Sequence, residues 1–181
     1  MTALLCVRDL DVNIGSVRVA AGLGFELAAG ERLAILGRNG TGKTTLLSTL
    51  AGLRKAEAGS VSLCGESYET LGPRRAAQLR GLLPQGHLDA FQSTVLETVL
   101  SGWQASYGLN EAPDAAALAA AAGALKVWRL ASWSRRRLAE LSYGQVRRVL
   151  FARAWIRSPL VLLLDEPFAG LDARQRALIA L

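Results

Sequence analysis

The chain is poor in the residues that mark several functional classes. Its 181 residues include only two cysteines and one histidine. Cys6 and Cys64 lie in separate strand-like runs with no C-x-x-C and no metal-ligand spacing, so they read as small buried residues rather than a redox pair or metal site. No apolar run reaches the roughly 18–20 residues that a membrane helix needs, so no spanning segment is expected. The first residues, Met1 to Arg8, lack a basic leader and carry too short an apolar stretch for a secretory signal, so the expected location is the cytoplasm. Lysine is scarce as well: Lys43, Lys55 and Lys126 are the only three, and arginine carries the net charge of +6. That bias suits nucleic acid, an anionic membrane face or solubility alone, and does not choose among them. Hydrophobic residues at 51% against 20% charged exclude a disordered chain and imply one domain with a true core.

The order of patterns is that of an α/β protein. Leu4 to Val12 has strand composition, Gly15-Ser16 reads as a turn, and Gly24 to Leu27 as a short strand. Arg32 to Leu36 reads as a buried strand running into a glycine-rich loop, and Thr44 to Leu53 as a helix with Leu46, Leu47 and Leu50 on one face. Val61 to Cys64 alternates like another strand, ended by Gly65. From about residue 86 to 140 the chain turns alanine- and leucine-rich. Helices are expected from Ser93 to Trp103 and, with Pro113 as an N-terminal marker, from Asp114 to Leu130. Leu160 to Leu164 returns to strand. Arg135, Arg136 and Arg137, taken as helical, would spread too widely to share one ligand and read as a solvated face. Trp103, Trp128, Trp133 and Trp155 read as core or packing residues.

Two segments carry chemistry. Gly37-Arg38-Asn39-Gly40-Thr41-Gly42-Lys43-Thr44 fits G-x-x-x-x-G-K-[ST] between a strand and a helix. The glycines let backbone N–H groups turn inward onto phosphate oxygens, and the helix start adds favourable partial charge. Lys43 can reach the β- and γ-phosphates, and the Thr44 hydroxyl can ligate Mg²⁺. Residues 37–45, Thr45 included, are therefore expected to hold a nucleoside triphosphate. Val161 to Leu164 then ends in two carboxylates. Asp165 is placed to hold Mg²⁺ through its water shell and Glu166 to polarise the attacking water.

A third segment points to a family. Leu141-Ser142-Tyr143-Gly144-Gln145 precedes a basic helix expected over 146–157, and it resembles the LSGGQ signature of ATP-binding cassette (ABC) ATPases. Gln85, in Leu82-Leu83-Pro84-Gln85, looks like the family's Q-loop, and Ala169-Gly170-Leu171-Asp172 like its D-loop. The resemblance implies a P-loop NTPase core with an N-terminal antiparallel β subdomain and an inserted helical lobe. Residues 1–85 and 156–181 would form the β-subdomain and core of a single domain, and 86–155 the lobe. It also implies ATP with Mg²⁺ held by Thr44, Gln85 and Asp165, general-base catalysis by Glu166, and a D-loop role for Asp172. Two subunits, a homodimer in the simplest case, would pair head to tail, with Ser142, Tyr143, Gly144 and Gln145 of each facing the other's ATP. As a transporter ATPase, the chain would sit at the inner face of a membrane on separate transmembrane permease subunits, touching no cargo; Trp103 is the tryptophan best placed for that contact. Leu-Ser-Tyr-Gly-Gln together with Val99 to Trp103 and Tyr107-Gly108-Leu109 is also similar to ATPases of molybdenum-type oxyanion transport.

The departures shape the expectations. Tyr143 stands where the family has a glycine, and Ile14 where an aromatic residue stacks on adenine. The family's switch histidine comes well after the D-loop, and His87 precedes the signature, so it reads as a surface loop residue. Ala173 to Leu181 reads as a helix with Asp172 as its cap and an apolar end, so a cut chain is expected, lacking C-terminal strands, helices and the histidine. Extending it should restore turnover. One alternative is a cassette with little hydrolysis. Another is a soluble ABC ATPase acting on nucleic acid or ribosomes. The short spacing between phosphate loop and signature, the two isolated cysteines and the single cassette argue against the second, and nucleic acid is not expected as a partner.

Overall fold

A computed structural model describes residues 3–85, 92–103 and 112–171. Two long antiparallel strands, β1 (Ala3–Ile14) and β2 (Val17–Ala28), open the chain. After the phosphate loop come α1 (Lys43–Leu50), β3 (Ala58–Leu63) and the short β4 (Glu66–Ser67), giving a sheet of order β2-β1-β3-β4. Helix α2 (Tyr68–Leu79) leads into β5 (Arg80–Leu83), which pairs in parallel with the last described strand, β6 (Val161–Leu164). Between them lie α3 (Val95–Ser101), α4 (Ala115–Val127) and α5 (Tyr143–Trp155).

Strand β1 buries Leu5 and Val7, then Leu10 and Val12, which requires one extra residue between the pairs. The extra residue sits at a bulge around Asp9, whose φ is 48°, and the ladder shifts register there on both sides. Gly59 of β3 crosses this bulge at φ 80°, and a Cβ on it would run into the Arg8 and Asp9 carbonyls. Gly59→Ala should therefore cost at least the about 1–2 kcal/mol of a left-handed L-residue, read as a lower denaturation midpoint. Leu46, Leu47 and Leu50 of α1 fill the space between this sheet and Val161 and Leu163 of β6.

The helices form a second core of Val95, Val99, Ala121, Leu125, Val149 and Ile156. Thr94 starts α3 with a reciprocal cap: its Oγ1 accepts from the Glu97 N–H at 3.3 Å, and Glu97 Oε2 accepts from the Thr94 N–H at 2.7 Å. The Thr94 backbone N–H, then its hydroxyl, hold the Glu97 carboxyl below the usual range. Helix α5 joins the two cores. Val149, Ala152 and Ile156 face the helices, while Val146, Leu150 and Phe151 pack with Leu83 of β5.

Several expectations are corrected. Residues 32–36 are not a strand, and Leu33 and Leu36 are 54% and 90% exposed. An apolar run becomes a strand only beside a hydrogen-bonding neighbour, and neither sheet among the described residues pairs with it. Strand β2 begins at Val17 rather than Gly24, because an edge strand is held by its ladder to β1 and not by apolar alternation. Arg135 to Arg137 lie in a turn between two short 3₁₀ segments rather than on a helix, although all three are exposed. Trp103, Trp128 and Trp133 pack on the helical core, but Ala152 and Ile156 take the inward positions near the end of α5 and leave Trp155 42% exposed. Cys6 and Cys64 are free and half-buried rather than buried. Cys6 lies on the face of β1 opposite Leu5 and Val7, and Cys64 lies in the turn after β3.

Candidate nucleotide site

The phosphate loop closes on its own lysine. Lys43 Nζ donates to the carbonyls of Gly37 at 2.9 Å and Arg38 at 2.8 Å, and Thr41 Oγ1 donates to the Arg38 carbonyl at 2.9 Å. Helix α1 starts from Gly42 at φ 91°, with no side-chain cap. A Cβ at Gly42 would strike Val19 of β2, so the loop needs glycine there for both conformation and space. Uncapped helix-start N–H groups beside a lysine bound only to carbonyls fit an anionic phosphate chain.

Ile14, Asn39, Gly40, Gly42, Lys43, Thr44, Gln85 and Glu166 line one cavity of about 300 Å³. Positions dispersed through the sequence thus converge on the phosphate loop. Thr44 Oγ1 donates to Gln85 Oε1 at 3.4 Å, which brings together two of the three residues expected at Mg²⁺. Neutral oxygen donors of this kind fit a hard, partly hydrated cation. Asp165, the third, is buried beside the cavity but does not line it; its N–H donates to the Leu83 carbonyl at 2.9 Å. Glu166 does line it, from a backbone at φ 43°. Gly37, Arg38, Thr41 and Thr45 shape the loop and the first turn of α1 without lining the cavity.

The signature segment lies elsewhere on the chain. Ser142 caps α5, its N–H donating to Gln145 Oε1 at 2.8 Å. Ser142 and Tyr143 are exposed, Gly144 is buried, and none of the four lines the cavity. The Tyr143 ring lies against Gly170, so the residue that departs from the family pattern packs on the loop after Glu166. Asp172, His87, the Tyr107-Gly108-Leu109 turn and the expected helix from Ala173 to Leu181 lie outside the described residues.

Sequence reasoning missed one residue of this region. Arg147 in α5 is fully buried, and its guanidinium donates to the carbonyls of Pro84, Gln85, Asp165 and Glu166. The available signal was a charged residue amid the apolar inward positions Val146, Val149 and Leu150.

The ABC transporter family model matches residues 20–169. The chain is 39% identical over 173 residues to the Nod factor export ATP-binding protein I of Burkholderia orbicola (strain AU 1054), covering 95% of this chain and 55% of that protein. It is 36% identical over 170 residues to the sulfate/thiosulfate import ATP-binding protein CysA of Bordetella pertussis (strain Tohama I / ATCC BAA-589 / NCTC 13251), covering 94% of this chain and 48% of that protein. Among solved structures, cbiO1 from Clostridium perfringens, part of the ABC transporter complex cbiONQ, superposes with a TM-score of 0.79 at 28% identity, covering 99% of this chain and 71% of that one. The chain spans about half the length of the curated relatives it matches. With the P-loop fold, the antiparallel β subdomain and the phosphate-loop cavity, these likenesses place it: the chain belongs to the ABC transporter family.

Proposed function

We propose that this chain binds and hydrolyses Mg²⁺-ATP to power a membrane transporter. The observation that carries the reading is the cavity in which Lys43, Thr44, Gln85 and Glu166 meet. Lys43 and the first N–H groups of α1 hold the phosphates, and Thr44 and Gln85, with Asp165 through water, hold the cation. A magnesium ion held there would supply positive charge to offset that developing on the phosphates during transfer. Glu166 orients a water and takes its proton. The test is ATP binding by calorimetry together with phosphate release by the full chain. Removing divalent metal should abolish release, and turnover unaffected by a chelator would overturn the reading.

The signature turn is absent from the lining of the chain's own cavity, which supports a second subunit supplying it. Ser142 and the start of α5 on one subunit then face the γ-phosphate of the other, and a homodimer is the simplest assembly. The permease would dock on a different face. A groove of about 360 Å³ between α2, β5, α3 and α5 is lined by Leu53, Arg80, Gly102, Arg153 and Arg157 among others. Trp103 lies at its side, stacked under the Arg157 guanidinium at 4.4 Å. No helix among the described residues is long and apolar enough to cross a membrane. The proposal places this chain at the inner face, on separate transmembrane permease subunits.

Ile14 lines the nucleotide cavity and is 41% exposed. Ile14→Tyr should tighten ATP binding by no more than the about 1–3 kcal/mol that a stacked base gains, with turnover chemistry unchanged. Unchanged or weaker affinity by calorimetry would place the adenine elsewhere.

A further inference from the structure

Strands β5 and β6 run parallel and end side by side, Leu83 against Leu164. The carbonyls of residues 84, 85, 165 and 166 follow the last paired residues of this ladder. Backbone carbonyls withdrawn from water, wholly at Asp165 and partly at the other three, need donors. Arg147 supplies them: Nη1 donates to the Pro84 carbonyl at 3.1 Å and the Gln85 carbonyl at 3.4 Å. Nη2 donates to the Asp165 carbonyl at 3.3 Å and the Glu166 carbonyl at 2.9 Å. The side chain is 0% exposed, and among the described residues no carboxylate is one of its hydrogen-bond partners.

The arrangement is costly for a merely structural residue. A buried cation gains most from a carboxylate, yet this one is spent on four main-chain oxygens, and its Nε is buried without a hydrogen-bond partner. What the oxygens share is their neighbours. Gln85 is the oxygen donor beside Thr44, and Glu166 is the carboxylate of the nucleotide cavity, held at φ 43° with its carbonyl accepting from Arg147 and from the Ala169 N–H. Arg147 itself stands in the second turn of α5, the helix whose first turn is the signature segment.

We propose that Arg147 is a positioning residue that fixes the Gln85 and Glu166 backbones relative to each other and to the signature turn. One planar fork thereby sets the metal-side donor, the general base and the surface offered to the partner's ATP. A lysine has a single nitrogen and cannot span four carbonyls. The proposal rests on the ATPase reading for its kinetic consequence, but not for its structural one.

The test compares the full chain with Arg147→Lys and Arg147→Met by amide hydrogen exchange and steady-state ATPase kinetics. Both variants should exchange faster at Asp165 and Ala169, whose N–H groups bond to the Leu83 and Glu166 carbonyls, while β1 and β2 stay protected. In both, kcat should fall about 10²-fold, the loss expected from a displacement near 1 Å, with the KM for ATP held within about twofold because Lys43 is untouched. Unchanged exchange at both amides would overturn the proposal. So would faster exchange spread equally through β1 and β2, or a KM that rises while kcat holds. If the unaltered chain binds no ATP, the nucleotide reading fails, and exchange at Asp165 and Ala169 still decides the role of Arg147.

Discussion

Lys43→Ala is expected to abolish ATP binding. In the structure Nζ is held by the Gly37 and Arg38 carbonyls inside the cavity lined by Asn39, Gly40, Gly42 and Thr44. Incoming phosphate oxygens are better partners for the ammonium than loop carbonyls, and they accept from it in the ground state. Each charge-assisted bond is worth about 1.5–3 kcal/mol, so losing two weakens binding by at least about 10²-fold. The fold should survive, since α1 is anchored by Leu46, Leu47 and Leu50 and not by Lys43. Tight ATP binding by a folded Lys43→Ala chain would remove the basis for the phosphate-loop assignment.

Glu166→Gln should have the opposite profile. Gln has the same shape and keeps an oxygen toward the cavity, but it cannot take a proton from water. Turnover should fall by about 10²–10⁴, the usual contribution of a general base, with ATP affinity retained. The backbone at φ 43° and the bond from Arg147 to its carbonyl do not depend on the side-chain charge, so the variant should fold like the parent. With ATP held between two subunits as proposed, a variant that binds ATP without hydrolysing it should accumulate as an ATP-bound dimer. Phosphate release at the unmodified rate would show that another group activates the water.

What the sequence revealed and what it hid have physical causes. The phosphate loop was legible because its chemistry needs particular residues at fixed spacing, and Gly42, Lys43 and Thr44 stand where that spacing puts them. Strand β1 was legible from its composition over Leu4 to Val12, and α3 from the helical pattern expected over Ser93 to Trp103, which brackets the observed Val95–Ser101. Helix α2 escaped notice because Gly72, at φ 68° and ψ 165°, and Pro73 break it midway, so no continuous helical stripe appears. Residues 32–36 misled because apolar composition signals a wish to be buried and says nothing about a pairing partner. Arg147 was hidden for a different reason. Its partners are main-chain carbonyls 18 to 63 residues away, which leave no mark on the side-chain pattern of β5 or β6.

The most direct measurement for the central claim, a composite site shared by two subunits, is cysteine cross-linking. In a Glu166→Gln background with Cys6 and Cys64 changed to serine, Asn39→Cys samples the phosphate loop and Ser142→Cys the exposed signature turn. Under mild oxidation with Mg²⁺-ATP, the account predicts a covalent dimer when both new cysteines are present, and none without nucleotide or with either cysteine alone. A bond formed only within one chain, or a dimer equally abundant without ATP, would contradict it.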